Sequence, residues 1–284
     1  DYIEQHINRK NETKNYIKAS SYYLANRKAF VNFINSNLLP YKNLQKKSNT
    51  LSCKTLNDKK EFSLMPHQNI VREYISIYSP YRGLLLYHGL GSGKTCSSIA
   101  IAEGLKSDKK VVVLTPASLK TNYLEELKSC GDFLYKKQLH WKQVSITDEE
   151  YMRKFADIGD FASKNNKVWL MDETKESNYE KLNTKEQKSL NKQLDDMIRK
   201  KYEFISYNGL RQDHMKKLTR NFSINPFDNK VVIVDEAHNL VSRIVNKLGE
   251  KETSISLQLY DYLLSAENVK IVFLISLLVG FSCR

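Results

Sequence analysis

The glycine-rich segment at residues 84–100, LLLYHGLGSGKTCSSIA, restricts the possible folds of this 284-residue chain more than any other stretch. An apolar run ends at the glycines, and a run of small, helix-compatible residues follows them. Gly89, Gly91 and Gly93 allow the backbone to turn tightly and to direct its N–H groups onto one anion. The positive end of the following helix dipole points at the same anion. The segment therefore predicts a strand, a phosphate-binding loop and a helix in direct succession.

The loop residues have separate predicted roles in nucleotide binding. We expect Lys94 to contact the outer phosphates and to take part in catalysis, and the Thr95 hydroxyl to ligate Mg²⁺. The full Walker A pattern has a glycine where His88 stands, so the match is to the shorter G-x-G-K-T core, and His88 is interpreted as a structural loop residue. The alternative is a glycine-rich turn with an incidental lysine. The residues predicted to surround the phosphates are Gly89, Leu90, Gly91, Ser92, Gly93, Lys94 and Thr95.

Six short apolar runs predict the strands of the sheet that carries this loop. Apolar and polar residues do not alternate in them, as is typical of parallel strands whose two faces are covered by helices. Helix-length segments separate several runs, which favours a doubly wound, mostly parallel α/β sheet with right-handed crossovers. The predicted strands are residues 83–88, 111–115, 168–171, 204–207, 231–235 and 270–274, and the predicted helices are residues 96–105, 117–128, 182–201 and 257–264. Residues 175–201 are so polar that we expect a surface helix there.

The segment VVIVDEAH at residues 231–238 supplies the acidic groups that a magnesium–nucleotide site needs. Four apolar residues are followed by Asp235, which we expect to hold Mg²⁺, and by Glu236, which we expect to orient the attacking water. A second acidic pair, Asp172 and Glu173, also follows an apolar run. We rank that pair second and interpret it as a solvated strand end, because no Ala-His follows it.

Residues 1–60 predict a mostly helical, basic N-terminal extension with a linker. They hold 12 Lys or Arg against 4 Asp or Glu, which is eight of the chain's thirteen excess positive charges. The best helix candidate is residues 22–39, ended by Pro40, and the lysine-rich residues 42–60 are interpreted as the linker. A basic, tyrosine-rich arm predicts contact with nucleic acid. The alternative is an AT-rich coding sequence, which enriches Lys, Asn, Ile, Tyr and Phe without selection for binding.

The cysteines and the apolar segments limit the expected compartment. Cys53, Cys96, Cys130 and Cys283 form no C-x-x-C pair, which argues against a zinc site and against a disulfide framework. We therefore expect a reducing, cytoplasmic location, and no secretory signal opens the sequence. The most apolar stretch, residues 271–281, is shorter than the roughly 20 residues that span a bilayer. It predicts a buried strand, and no membrane partner is expected.

The DEAH sequence after a phosphate loop resembles the superfamily 2 helicases and translocases. Three further segments agree with that resemblance: LMPHQ at residues 64–68, LTPASLKTNYLEELK at residues 114–128 and FISYNGL at residues 204–210. Together with LLLYHGLGSGKT and DEAHN, they look most like the helicase-type ATPases of large nucleocytoplasmic DNA viruses. That group includes relatives of the poxvirus early transcription factor small subunit and nucleoside triphosphatase I. The resemblance implies a first RecA-like domain of the P-loop NTPase fold, which we assign to residues 61–284.

The resemblance also implies roles for individual residues. Gln68 would recognise the adenine of ATP, and His238 would couple hydrolysis to movement. FISYNGL occupies the place of a further strand-end motif of the family. The segment that begins at Leu114 does not resemble the P-T-R-E-L of DEAD-box RNA helicases, which weakens that interpretation. The expected nucleic acid is DNA in preference to RNA, a choice that the sequence itself does not decide. The residues implied to contact the nucleic-acid backbone are Thr115, Pro116, Ser118 and Lys120.

The implied function is the ATP-binding half of an ATP-dependent, viral and transcription-linked helicase or translocase. ATP and Mg²⁺ are the implied cofactors, and nucleic acid and viral RNA polymerase or other transcription components are the implied partners. The implied location is the host cytoplasm or the virion. A P-loop kinase or a transporter ATPase is disfavoured, because Gln68 and the DEAH sequence occur together.

The sequence departs from the family after the strand predicted at residues 270–274. The family continues with Ser-Gly/Ala-Thr, whereas ISLLVGFSCR follows here. We also expect this chain to lack the second RecA-like domain of the family with its arginine finger, and such a finger contributes roughly 10³–10⁵-fold to rate where it has been measured. We therefore expect an incomplete or frame-shifted copy of a longer motor, weakly active alone. The alternative is a nucleotide- or nucleic-acid-binding module that does not hydrolyse ATP.

Overall fold

A five-stranded parallel sheet organises the computed structural model, as the sequence predicts. The structure describes residues 64–76, 79, 81–89, 91–145, 167–247 and 254–277, together with helical residues at 31–32, 34–36 and 38–41. The described strands are β1 (Gly83–Gly89), β2 (Lys110–Thr115), β3 (His140–Ser145), β4 (Lys167–Asp172), β5 (Tyr202–Ser206), β6 (Lys230–Val234) and β7 (Lys270–Leu277). The sheet has the strand order β1-β7-β6-β2-β5, and every neighbouring pair is parallel.

Helices cover both faces of this sheet, which confirms the doubly wound prediction. The α-helices labelled here are α1 (Pro66–Tyr74), α2 (Lys94–Leu105), α3 (Lys120–Cys130), α4 (Thr184–Lys201), α5 (Gln212–Leu218), α6 (Ala237–Lys247) and α7 (Ile255–Ser265). Val111 and Val113 of β2 belong to one apolar cluster with α2, α3 and α4, whereas Val112 and Leu114 belong to another with α6 and α7. Because both faces are buried, β2 has no polar alternation.

The apolar run at residues 168–171 forms a strand, but that strand does not join the parallel sheet as predicted. It lies in β4, which pairs antiparallel with β3 in a separate two-stranded sheet. Gln193 of α4 pairs with the backbone of Trp169, accepting from its N–H at 2.8 Å and donating to its carbonyl at 2.9 Å. A side chain therefore takes the place that a neighbouring strand would fill, and the apolar run alone does not reveal this.

The polar segment before β5 forms helix α4, whose lysines are exposed as predicted for a surface helix and which also buries a narrow apolar face. In α4, Leu190, Leu194 and Ile198 are fully buried in the cluster that includes α2 and α3. These residues are spaced four apart, so a narrow apolar stripe faces the sheet while the remaining positions are polar. The Asn183 side chain accepts hydrogen bonds from the first turn and so fixes the start of the helix.

The predicted N-terminal extension is described only in part. Residues 38–41 are helical, so the helix continues through Pro40 instead of ending before it. The linker at residues 42–60, Cys53 and Cys283 lie outside the described residues, as does most of the tyrosine-rich arm.

Cys96 and Cys130 form a disulfide, contrary to the expectation that the cysteines are unpaired. Their separation of 34 residues spans the crossover through β2, which lays α2 and α3 side by side with the two Cα atoms 5.7 Å apart. The sequence does not reveal the pairing, because it depends on how two helices pack and not on a local spacing.

Reduction of this disulfide is expected to lower the free energy of unfolding by about 2–4 kcal/mol, because the bond closes a long loop in the unfolded chain. Chemical unfolding with and without a thiol reductant measures the difference. The Cys130→Ser variant should match the reduced parent and should not respond to reductant. Equal stability of the oxidised and reduced parent would contradict the expectation.

Candidate functional site

The phosphate loop predicted from the sequence joins β1 to α2. Gly91 and Gly93 have φ values of +77° and +75°, a left-handed conformation that favours glycine. A Cβ added to Gly93 would lie 2.6 Å from Nε2 of Gln68, so this position lacks room for a side chain as well. Helix α2 begins at Lys94, and the described loop residues therefore take the arrangement that the glycines predict. Leu90 lies outside the described residues.

Two side chains of helix α1 contact the backbone of this loop. The Gln68 side chain is buried; its Nε2 donates to the carbonyl of Gly93 at 3.2 Å, and its Oε1 accepts from the N–H of Met65 at 2.9 Å. His67 Nε2 lies 3.2 Å from the carbonyl of Ser92. Both residues thus hold the loop backbone, a role that the sequence did not suggest. Adenine recognition by Gln68 stays a prediction.

Asp235 follows β6 directly and is held by its neighbours. Its N–H donates to the carbonyl of Leu114 at 2.8 Å, and its Oδ2 accepts from the Thr115 hydroxyl at 3.2 Å. Burial and then the charge of Glu236 raise the pKa of Asp235, while Thr115 and Lys94 act in the opposite direction. A buried carboxylate that is costly to ionise gains most when a cation is bound beside it.

The Asp235→Asn variant is expected to be more stable than the parent at pH 7 in the absence of metal. Because the folded-state pKa is raised above the ordinary 3.8, ionisation of Asp235 destabilises the fold as the pH rises through that pKa. The unfolding temperature of Asp235→Asn should therefore be higher than that of the parent at pH 7. Thermal unfolding at pH 7 and near pH 3 measures the effect. The difference should vanish near pH 3, where both side chains are neutral, and a difference that persists there would contradict the explanation.

Glu236 occupies a left-handed turn with a φ of +46°. Its Oε1 accepts a hydrogen bond from the Ser276 hydroxyl at 2.8 Å, and its Oε2 lies 3.4 Å from Nδ1 of His238. The His238 side chain is half exposed, so it connects the carboxylate to the surface. The Glu236 side chain is thereby oriented by groups from β7 and from α6.

The phosphate loop and the Asp235–Glu236 turn lie at the same edge of the sheet, because β1, β6 and β7 are parallel. Strand β7 lies between the other two, and Ser276 is in register with His88 at the end of β1. The sequence did not identify Ser276, because the expected Ser-Gly/Ala-Thr triplet is absent there. The available signal was a serine shortly after the predicted strand.

The loop carries unsatisfied polar groups that suit a phosphate ligand. The Ser92 hydroxyl and Nδ1 of His88 are buried and find no hydrogen-bond partner within the described part of the chain. His88 is the last residue but one of β1, as the strand predicted at residues 83–88 requires, so its separate interpretation as a loop residue is wrong. Burial, followed by the charges of His67 and Lys94, lowers the pKa of His88. Thr95 at the start of α2 and Asp235 carry oxygen atoms of the kind that Mg²⁺ prefers, so the residues present would fit a magnesium–nucleotide complex.

The four residues implied to contact nucleic acid differ in their accessibility. Thr115 and Pro116 are buried, and the Thr115 hydroxyl is directed towards Asp235. Ser118 is exposed, and Nζ of Lys120 lies 5.8 Å from the centre of the Phe204 ring. Ser118 and Lys120 therefore remain accessible to a ligand, whereas Thr115 connects the end of β2 to the acidic turn. Their contact with nucleic acid stays a prediction.

The second acidic pair lies apart from this site. Asp172 ends β4 in the two-stranded sheet, and its Oδ1 accepts hydrogen bonds from the N–H and the hydroxyl of Thr174. Hydrogen bonds from Thr174 and then from Lys175 lower the pKa of Asp172 to about 2. Its carboxylate is thus engaged in a local turn, and Glu173 beside it is exposed.

The similarity of the chain to a known protein family agrees with the arrangement of this site. The profile of the family described as the type III restriction enzyme, res subunit (ResIII), matches residues 61–277. This chain belongs to the ResIII family. Its members share a helicase-like ATPase domain, which accounts for the phosphate loop and the parallel sheet found here.

Relatives of this ResIII chain occur in large DNA viruses. It is 32% identical over 217 residues to a protein of Acanthamoeba polyphaga mimivirus provisionally named an ATP-dependent RNA helicase, covering 75% of this chain and 30% of that protein. It is 25% identical over 193 residues to a termination factor NPH-I homolog of African swine fever virus, covering 68% of this chain and 19% of that protein. The chain therefore spans less than a third of the length of either relative. The predicted resemblance to viral helicase-like ATPases is confirmed.

None of the helices in the described part of the chain is both long enough and apolar enough to cross a bilayer.

Proposed function

We propose that this chain is the ATP-binding half of an ATP-dependent helicase or nucleic-acid translocase. The proposal is supported by one observation: the phosphate loop and the Asp235–Glu236 turn lie at the C-terminal ends of parallel strands in the same sheet. There the Ser276 hydroxyl donates a hydrogen bond to Glu236. Lys94 would hold the outer phosphates, and Thr95 and Asp235 would hold Mg²⁺. The bound metal would withdraw charge from the phosphates, and Glu236 would orient the attacking water.

The proposed partner is nucleic acid, with DNA favoured over RNA. The basic composition of residues 1–60, the exposed Ser118 and the half-buried Lys120 support a contact with a phosphate backbone. The relatives include proteins named as helicases and as a termination factor, which supports a role in viral transcription beside an RNA polymerase. The proposed location is the host cytoplasm or the virion. Residues 1–60 would form a separate extension, and residues 61–284 the first RecA-like domain.

A second candidate function is a nucleotide-binding module without turnover. It is favoured by one feature of the sequence, since Ile275, Ser276 and Leu277 stand where the family has Ser-Gly/Ala-Thr. The two candidates share the phosphate loop and differ in whether Glu236 acts on a water molecule.

Measurement of ATP hydrolysis with and without nucleic acid tests the proposal. Phosphate release should depend on Mg²⁺ and should increase on addition of DNA, and by less on addition of RNA of the same length. The background is set by the Glu236→Gln variant in the same assay. Tight ATP binding with no hydrolysis above that background would favour the second candidate, and absence of ATP binding would exclude both.

A further inference from the structure

Glu236 adopts a backbone conformation that needs support. Its φ of +46° lies in the left-handed region, which residues with a Cβ occupy only when the surrounding structure holds them there. The same turn determines the direction of the Glu236 side chain. Any group that fixes the turn therefore also fixes the carboxylate.

The Tyr207 hydroxyl is the group that contacts this turn from across the sheet. It lies 3.1 Å from the carbonyl oxygen of Asp235 and 3.2 Å from the carbonyl oxygen of Glu236, and it donates its proton to this pair of acceptors. Tyr207 begins the short helical turn Tyr207–Gly209 after β5, and β2 separates β5 from β6. The hydroxyl thus reaches across the end of β2 to the turn after β6.

One further observation separates the hydroxyl from ordinary packing of the ring. The Tyr207 ring belongs to the apolar cluster with α6 and α7, and a phenylalanine would fill the same space. The two contacts with the carbonyl oxygens are therefore made by the hydroxyl alone, and a variant without it would keep the packing of the ring.

We propose that Tyr207 is a positioning residue for the hydrolysis proposed above: its hydroxyl holds the left-handed turn that directs Glu236 towards the attacking water. Tyr207 does not touch the nucleotide. It acts through the backbone of Glu236, while Ser276 orients the carboxylate from the opposite side at 2.8 Å. The effect of Tyr207 on ATP hydrolysis rests on the proposed function. Its effect on the backbone turn at Glu236 does not.

The Tyr207→Phe variant tests this role because it removes the hydroxyl and keeps the ring. We expect kcat for ATP to fall about 10- to 100-fold while KM for ATP stays within about twofold, since a displaced catalytic group impairs chemistry more than binding. Hydrogen exchange of a peptide spanning residues 233–240 should become faster than in the parent.

Tyr202→Phe provides the matched control. Tyr202 lies at the other end of β5, is also buried, and donates its hydroxyl to Glu103 Oε1 at 2.7 Å. Its loss should affect stability but should leave kcat and the exchange of residues 233–240 unchanged. Equal kcat values for the two variants, or unchanged exchange at residues 233–240 in Tyr207→Phe, would overturn the inference. If the parent hydrolyses ATP no faster than Glu236→Gln, the proposed function is wrong. The hydrogen-exchange measurement alone then decides whether Tyr207 holds the turn.

Discussion

Replacement of Glu236 by glutamine is expected to lower ATP turnover by about 10²–10⁴-fold, the usual contribution of a general base. The amide keeps the size of the side chain and can still accept the hydrogen bond from Ser276, but it cannot take a proton from water. ATP affinity should therefore change little. Phosphate release under single-turnover conditions and binding of a fluorescent ATP analogue measure the two effects separately.

Glu173→Gln is the matched control for this variant. Glu173 also follows an aspartate at a strand end, but it is exposed and lies beyond β4 in the separate two-stranded sheet. Its replacement removes the same charge without touching the proposed site, so turnover should equal that of the parent. If Glu173→Gln lowered turnover as much as Glu236→Gln, the assignment of the acidic pair would be wrong.

Replacement of Lys94 by alanine is expected to weaken ATP binding by roughly 10- to 100-fold. A hydrogen bond to a charged group contributes about 1.5–3 kcal/mol, and each 1.4 kcal/mol corresponds to a tenfold change in affinity. Lys94 begins α2 directly after the left-handed Gly93, so its loss leaves the backbone of the loop in place. Titration with a fluorescent ATP analogue measures the affinity.

Lys110→Ala is the corresponding control, because it removes an equal charge from the other end of the strands, away from the phosphate loop. Lys110 is exposed at the start of β2, whereas the phosphate loop follows the end of β1. Its replacement should leave ATP affinity within about twofold of the parent. Unchanged ATP affinity in Lys94→Ala would instead show that the glycine-rich turn is not a phosphate site.

The parts of the site that could be predicted are those encoded by a continuous segment. Gly93 and Lys94 follow an apolar run and precede a helix, and Asp235 and Glu236 end another apolar run. Each of these patterns predicts the local backbone geometry, because the end of a strand and the start of a helix are determined by neighbouring residues. The position of these segments at one edge then follows from parallel strand pairing.

The parts that could not be predicted depend on contacts between distant segments. Tyr207 meets the Glu236 turn only because β2 lies between β5 and β6, and Ser276 meets Glu236 only because β7 borders β6. Gln193 and the Cys96–Cys130 pair depend in the same way on how helices pack. The strand order cannot be derived from a single sequence, so no local sequence pattern indicates these contacts.

The contacts of α1 set the shortest piece of this chain that can be expected to bind a nucleotide. His67 and Gln68 hold the carbonyls of Ser92 and Gly93, although neither residue belongs to the sheet or to the loop. An expression product that began at β1 would keep every glycine of the loop and lose both supports. A protein engineer who wished to isolate this domain should therefore start the gene fragment upstream of Pro66.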